Sequence, residues 1–397
     1  MNDPYAQQLE ALRALSLDRH LREVTTPQAA IVDIAGKQLI NFSSNDYLGL
    51  ANDARLREAA SKAIEEFGVG AGASRLISGT QSPHLQLERA LAKWKGTEAG
   101  LSFSSGYAAA LGTIPALVEK GDIVVLDKLC HASLIDGAKL SGATLRVFPH
   151  NHLGKLKRLL EWARQKNSTA RIWIITESVF SMDGDRAPLR EIVDLKTRYD
   201  AQLFLDEAHA VGVIGGNGRG LAADEGLSSQ IDVQMGTLSK ALGVFGGYVC
   251  GSRILIEWLI NRARSFIFST APPAPLAAAA KAALDFLSSS EGEERRQKLW
   301  RNIRTLGDGL SLRPVSAIVP WIVGDERAAL AAAEKLQGEG FLVPAIRYPT
   351  VAKGSARLRI TISAAHETPQ IRALALAIVS LPQKVEGANY GVREAAQ

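Results

Sequence analysis

The chain is predicted to fold as an α/β protein, with a mainly parallel central sheet flanked by helices and a smaller α/β domain at its C-terminal end. Three observations carry that reading. Short apolar runs alternate with helix-length segments from about residue 98 onward, and strand–helix alternation closes into a parallel sheet with helices on both faces. The 397 residues, 46% hydrophobic and 22% charged, are too many for one small core and suit two or three packed units of a globular protein. A second alternating series then restarts near residue 317, after a charged helix pattern.

The elements follow in order. The N-terminus, MNDPYAQQLEALRALSLDRHLRE, lacks the apolar stretch of a secretory signal, and Leu9, Leu12, Leu15, Leu17 and Leu21 are spaced as on an amphipathic helix. Ile31–Ile34 and Leu39–Phe42 flank Ala35-Gly36-Lys37 as a hairpin. Strands are expected at Gly100–Phe103, Ile123–Leu126, Thr144–Phe148, Arg171–Thr176, Gln202–Leu205, Val233–Met235 and Gly247–Cys250, with helices between most of them, such as Leu153–Gln165 and Leu189–Tyr199. Ala274–Leu287 is interrupted by Lys281 and Asp285 and reads as a packed helix; no apolar run reaches the roughly 18 residues of a membrane span. Glu291–Leu310 is a charged helix, followed by Ala317–Val323, Arg327–Gln337, Phe341–Pro344, Arg357–Thr361 and a helix from Pro369. The expected division is an N-terminal helix and hairpin segment at 1–45, a large domain at 46–288 and a small domain at 289–397.

Charge narrows the function. The 46 Lys and Arg exceed the 41 Asp and Glu by only five, for a pI near 9.1, and they are scattered. A nucleic-acid binder clusters its cations; the group Glu293-Glu294-Arg295-Arg296 reads as a solvated helix face, and the mild positive balance suits an anionic metabolite. Two cysteines, Cys130 and Cys250, cannot build a disulfide scaffold, so a reducing, cytoplasmic setting is expected.

In open parallel sheets ligands bind beyond the carboxyl ends of the strands. Asp206 follows the Gln202–Leu205 run, and Lys240 lies 34 residues later in Thr237-Leu238-Ser239-Lys240. A carboxylate and a lysine at consecutive strand ends are what a pyridoxal phosphate enzyme needs: the amine to hold the cofactor as an imine, the carboxylate to keep its pyridine nitrogen protonated. The uncharged neighbours of Lys240 in the sequence favour a neutral amine. Against this, a lone lysine is usually a solvated charge and an aspartate after a strand is usually a helix cap. Ser105-Gly106-Tyr107 ends a strand and opens an Ala-rich helix, a seat for phosphate or an ordinary capped turn, and Thr237 offers a further hydroxyl. His131 has an imidazole able to stack on a flat ring; a satisfied, partly buried histidine is the plainer alternative.

Other strings carry less. His150 and His152 have no matching ligand cluster, so a surface loop is favoured over a metal site. Gly68–Gly72 lacks the strand and spacing of a dinucleotide fingerprint. Asp206-Glu207-Ala208-His209 is spelled like the acidic box of helicases, but Gly36-Lys37 and Gly154-Lys155 lack the glycine and hydroxyl of a phosphate loop. A non-catalytic ligand-binding α/β protein leaves Lys240 unexplained.

Together these strings resemble the α-oxoamine synthases, a family of fold-type I pyridoxal phosphate transferases. The resemblance runs from about Asn41 to His366. It rests on Asn41 to Leu50 (NFSSNDYLGL), Ser105-Gly106-Tyr107, His131-Ala132-Ser133, Phe180 to Asp185 (FSMDGD), Asp206-Glu207-Ala208-His209, Thr237-Leu238-Ser239-Lys240, and Tyr348-Pro349-Thr350 with Arg357 to Thr361. It implies that Lys240 bears the cofactor and moves the α-proton, Asp206 pairs with the ring nitrogen, His209 bonds the phenolic oxygen and His131 stacks on the ring. Ser105, Gly106, Tyr107, Thr237 and Ser181 would surround the phosphate. Arg359 would grip the amino-acid carboxylate, Asn45 and Thr350 would border the substrate, and Arg22 would meet the acyl donor. The implied reaction is a decarboxylative condensation of L-alanine with a pimeloyl thioester, on coenzyme A or an acyl carrier protein, by a homodimer with shared sites. Tyr348, and Pro349-Thr350-Val351-Ala352-Lys353-Gly354-Ser355 with its Ala352, depart from the pattern of the family's pimeloyl-using branch; Tyr348 is similar to the 5-aminolevulinate synthase branch, so the acyl donor and the choice of alanine or glycine stay open, with 2-amino-3-ketobutyrate ligase as a further alternative.

Overall fold

The computed structural model describes residues 3–383. Residues 1, 2 and 384–397 of the expected terminal segments lie outside the described residues. The described residues divide into two compact units: one of residues 3–47, 182–184 and 298–383, the other of residues 48–181 and 185–297.

The second unit holds a seven-stranded sheet. Its strands are β3 (Ala99–Phe103), β4 (Ile123–Asp127), β5 (Thr144–Phe148), β6 (Ile172–Glu177), β7 (Gln202–Asp206), β8 (Val233–Thr237) and β9 (Gly247–Gly251), following β1 (Ile31–Ile34) and β2 (Lys37–Asn41) of the other unit. The spatial order is β3-β9-β8-β7-β6-β4-β5; β9 runs antiparallel to both neighbours and the other pairings are parallel. Every residue of β4 and β6 is buried, as strands covered on both faces require. One core layer packs Leu101, Val124, Ile175 and Phe204 of the sheet with Ile114 and Leu134 from the helices. The Ala-rich helix is Ala274–Leu287, as the sequence predicts. Its alanines let it lie close against the helices Ala54–Phe67 and Ser82–Lys95.

The first unit joins the two ends of the chain. β1 and β2 form the expected hairpin, and β11 (Phe341–Leu342) adds to β2 in parallel. β10 (Ile318–Gly324), β12 (Ala345–Ile346) and β13 (Ala356–Thr361) form an antiparallel sheet in the order β10-β13-β12. The helices Glu326–Gly338 and Thr368–Val379 stand close to their predicted places. One element differs: the N-terminal helix is Pro4–Ala14, shorter than the Leu9–Leu21 spacing predicts. Ser16 takes a positive φ of 55°, a conformation that ends a helix, and Leu9, Leu12, Leu15 and Leu21 are exposed. No helix among the described residues is long and apolar enough to cross a membrane.

Candidate active site

The carboxyl ends of β6, β7 and β8 bring the predicted residues of the second unit together. Asp206 is the last residue of β7, buried, and its Oδ1 accepts the Ala208 N–H at 2.8 Å. The turn that follows carries His209, whose Nε2 lies 2.7 Å from Lys240 Nζ. Lys240 sits just past β8, the parallel neighbour of β7. Here the fold alters the sequence picture: Lys240 is half-buried, and the buried carboxyl groups of Asp206 and Glu177 lie within its electrostatic reach although its sequence neighbours carry no charge. Burial pushes the Asp206 carboxyl up, and the Lys240 ammonium, the Ala208 hydrogen bond and His131 oppose that rise.

His131 caps the helix Ala132–Leu140. Its Nδ1 accepts the Ser133 N–H at 3.3 Å and lies 2.8 Å from Ser133 Oγ, so the proton of the neutral ring belongs on Nε2. Burial lowers its pKa, Asp206 opposes this, and Lys240 adds to it. Tyr107 meets the ring edge-on, centroids 6.4 Å apart, and its hydroxyl bonds Asp136.

The helix start expected after Ser105 is present and adjoins the end of β8. Ser105 caps the helix Gly106–Leu117, its Oγ accepting the Ala108 N–H at 3.0 Å. A Cβ on Gly106 would sit 3.6 Å from the Thr237 side chain, so the helix start and the end of β8 adjoin. Gly247 has to be glycine: a Cβ there would lie 2.4 Å from Ser105 O and 2.6 Å from Gly106 N. Thr237 Oγ1 donates to Gly246 O at 2.9 Å and lies 2.7 Å from Ser239 Oγ. Ser181 is buried in the turn closed by the Val179–Arg186 bridge.

The first unit carries the remaining predicted residues. Arg359 on β13 is buried; it donates to Thr361 Oγ1 at 3.0 Å and Asn45 Oδ1 at 3.1 Å. Beside it, burial raises the Tyr47 phenol to about 12 against the pull of Arg359. Thr350 is exposed in the turn after β12, and Arg22 is exposed, 3.5 Å from Gln337 Oε1.

Three features escaped the sequence reading. Glu177, the last residue of β6, is buried and accepts the His131 N–H at 2.5 Å. Glu207 is fully buried, bonded to Lys95 Nζ and to the Ala222 N–H, so the helicase-like spelling dissolves into a buried strand-end carboxylate, an anchor and a partner for Lys240. His150 is not a plain surface loop residue. It bridges Asp127 at 3.1 Å and Asp185 at 2.7 Å with its ring edge against Phe180, while His152 caps the helix Leu153–Lys166. Glu177 and His150 meet their partners through the order of the sheet, and Glu207 meets Lys95 from a helix 112 residues earlier, so no single string points to these partners.

The donor set suits pyridoxal phosphate. A buried carboxylate stands at one strand end, an amine lies just past the next with an imidazole 2.7 Å from it, and the start of a twelve-residue helix adjoins the end of that second strand.

Comparison with known proteins agrees. The profile of the family described as aminotransferase class I and II matches residues 37–378. An 8-amino-7-oxononanoate synthase of Geobacter sulfurreducens is 45% identical over 97% of this chain and 99% of its own, and one of Anaeromyxobacter dehalogenans is 47% identical over 94% and 95%. Among solved structures, a variant of serine palmitoyltransferase from S. paucimobilis with a bound pyridoxal phosphate–myriocin aldimine superposes with a TM-score of 0.89, at 31% identity, over 95% of this chain and 96% of its own. An 8-amino-7-oxononanoate synthase of Francisella tularensis gives a TM-score of 0.73 at 30% identity, over 86% and 97%. With the fold, the site and these likenesses in agreement, the chain belongs to the class I and II aminotransferase family of pyridoxal phosphate enzymes.

Proposed function

We propose that the chain condenses L-alanine with a pimeloyl thioester, with loss of carbon dioxide, to give 8-amino-7-oxononanoate for biotin biosynthesis. The observation that carries this is the 45% and 47% identity, along nearly the whole chain, to relatives of that name, well above the 31% shared with serine palmitoyltransferase.

Bound pyridoxal phosphate supplies an electron sink at the amino-acid Cα. The chain's residues do the rest. Asp206 would hold a positive charge on the ring nitrogen, and that charge would make the sink effective. Lys240, an amine beside His209, would take the α-proton so that Cα can bond to the acyl carbon as the thiol leaves, and would return a proton to Cα once carbon dioxide has been lost. His131, with Nδ1 engaged by Ser133, presents a fixed ring face. Ser105, Gly106, Tyr107, Thr237 and Ser181 are the proposed phosphate residues. Arg359 offers the amino-acid carboxylate a planar fork, with Asn45, Thr350 and Arg22 as the proposed substrate residues. The donor arrives on coenzyme A or an acyl carrier protein, and the working form is a cytoplasmic homodimer.

The test is kcat/KM for pimeloyl and succinyl thioesters, each with alanine and glycine. Burying the three additional methylenes of pimeloyl is worth roughly 2 kcal/mol, a preference of some tens-fold. Succinyl thioester with glycine winning would overturn the reading.

A further inference from the structure

We propose that Glu177 is a positioning residue of the active site: a neutral hydrogen-bond acceptor that fixes the backbone of His131, and through it the imidazole ring, beside Asp206. This rests on the pyridoxal phosphate site described above and assigns a role to a residue outside its predicted set.

The geometry leads there in three steps. β6 and β7 are parallel neighbours in a register that pairs Glu177 with Asp206, so both side chains leave the same face of the sheet. Both are buried, with 2% and 5% exposure. As the cap of the helix Ala132–Leu140, His131 has a backbone N–H that the helix does not use; Glu177 Oε1 accepts it at 2.5 Å. The ring is meanwhile engaged at Nδ1 by Ser133. His131 is therefore held at its backbone by one strand end and at its ring by its own helix. With both anchors in place the ring plane is set before any ligand arrives.

Charge decides the form of Glu177. The groups that bear on it are Asp206, Lys240, Asp127 and the His131 N–H. Two carboxyl groups at adjoining buried positions share one nearby ammonium, and ionising both is costly. Burial pushes the Glu177 carboxyl well above the usual range and Asp206 pushes it further, outweighing Lys240 and the His131 hydrogen bond. Asp206 is raised too, with Lys240 the first force against it. The proton settles on Glu177 and the negative charge on Asp206, where a protonated ring nitrogen answers it. A neutral acid still accepts an N–H through its carbonyl oxygen.

The experiment compares Glu177→Gln, which keeps an acceptor without a titratable group, with Glu177→Ala, which removes it. Three signals are read: the affinity of the apoprotein for pyridoxal phosphate by fluorescence titration, the visible circular dichroism of the bound cofactor, and the His131 ring 15N resonances of the apoprotein. Glu177→Gln is expected to stay within about twofold of wild type in affinity, with unchanged dichroism and resonances. Glu177→Ala strands a buried N–H, so its affinity should fall about tenfold, with altered dichroism and a shifted His131 signal. An alanine variant with wild-type signals overturns the positioning role. A glutamine variant as damaged as the alanine variant overturns the neutral form. Should the alanine variant fail to fold, the glutamine variant decides alone: wild-type His131 resonances and affinity support the proposal, and displaced ones sink it. No readout involves the amino acid or the thioester, so an error in the proposed substrates leaves the result standing. Wild-type protein that binds no cofactor would instead defeat the proposed function.

Discussion

The buried pair Lys95–Glu207 offers a perturbation whose size follows from its surroundings. The two side chains are 1% and 0% exposed. Lys95 also reaches Arg219 O, and Glu207 takes the Ala222 N–H. A Cβ on Gly220, at φ +101°, would approach Glu207 Oε1 to 2.5 Å, so the carboxylate is closely enclosed. Lys95→Met removes the cation and leaves a charge that cannot reach water. The expected cost is about 3–5 kcal/mol. Adding Glu207→Gln removes that charge while keeping an acceptor for Ala222, so the double variant should recover most of the loss. The assay is urea unfolding of wild type, both singles and the double. With a slope near 3 kcal/mol/M, Lys95→Met should lower the midpoint by about 1 M or more. A single variant within about 1 kcal/mol of wild type, or a double variant no better than Lys95→Met, would refute the reasoning.

Four further outcomes are expected. Lys240→Ala should bind no cofactor in the form that borohydride traps and should show no turnover; a turning-over variant would remove Lys240 from the mechanism. Asp206→Asn should still take up cofactor but lose about 100- to 1000-fold in kcat, whereas near-normal kcat would make Asp206 a cap for the turn. Burial pulls the His150 pKa down, but hydrogen bonds to Asp127 and Asp185 win and raise it to about 10. Because the folded value lies above the unfolded one, its stabilisation should be full below about pH 6.5, shrink above that and vanish past about 10. Urea midpoints of His150→Gln and wild type should converge on that schedule, and a gap independent of pH would count against it. Inactive Lys240→Ala and Thr350→Ala chains, mixed and reassociated, should form partly active hybrids if the proposed dimer shares its sites; sedimentation showing monomer alone at working concentration would contradict that.

The parts of the fold readable from the sequence are those that local pattern determines. Each predicted strand of the large sheet is present, displaced by at most two residues at an end, because buried parallel strands are continuous apolar runs between helix-length segments. Asp206 and Lys240 were legible because strand ends are where such sheets bind ligands. Glu177 was not, since its value comes from lying beside β7, and sheet order is not written in a single strand. Lys95–Glu207 hid for a similar reason: nothing near Lys95 distinguishes it from a solvated helix lysine. The N-terminal helix was overextended because leucine spacing continued past Ser16, where the backbone turns.

The pairing of β2 with β11 links strands some 300 residues apart. A ribosome delivers residues 48–297 long before residue 342 leaves the exit tunnel, so the sheet of the second unit can close first while the N-terminal hairpin waits unpaired along one edge. Truncation anywhere before Leu342 therefore strips an edge partner from the start of the chain as well as removing its end. Nascent or shortened chains should consequently expose Lys37–Asn41 to proteases and chaperones, and the first strands to appear in synthesis should be among the last to become protected.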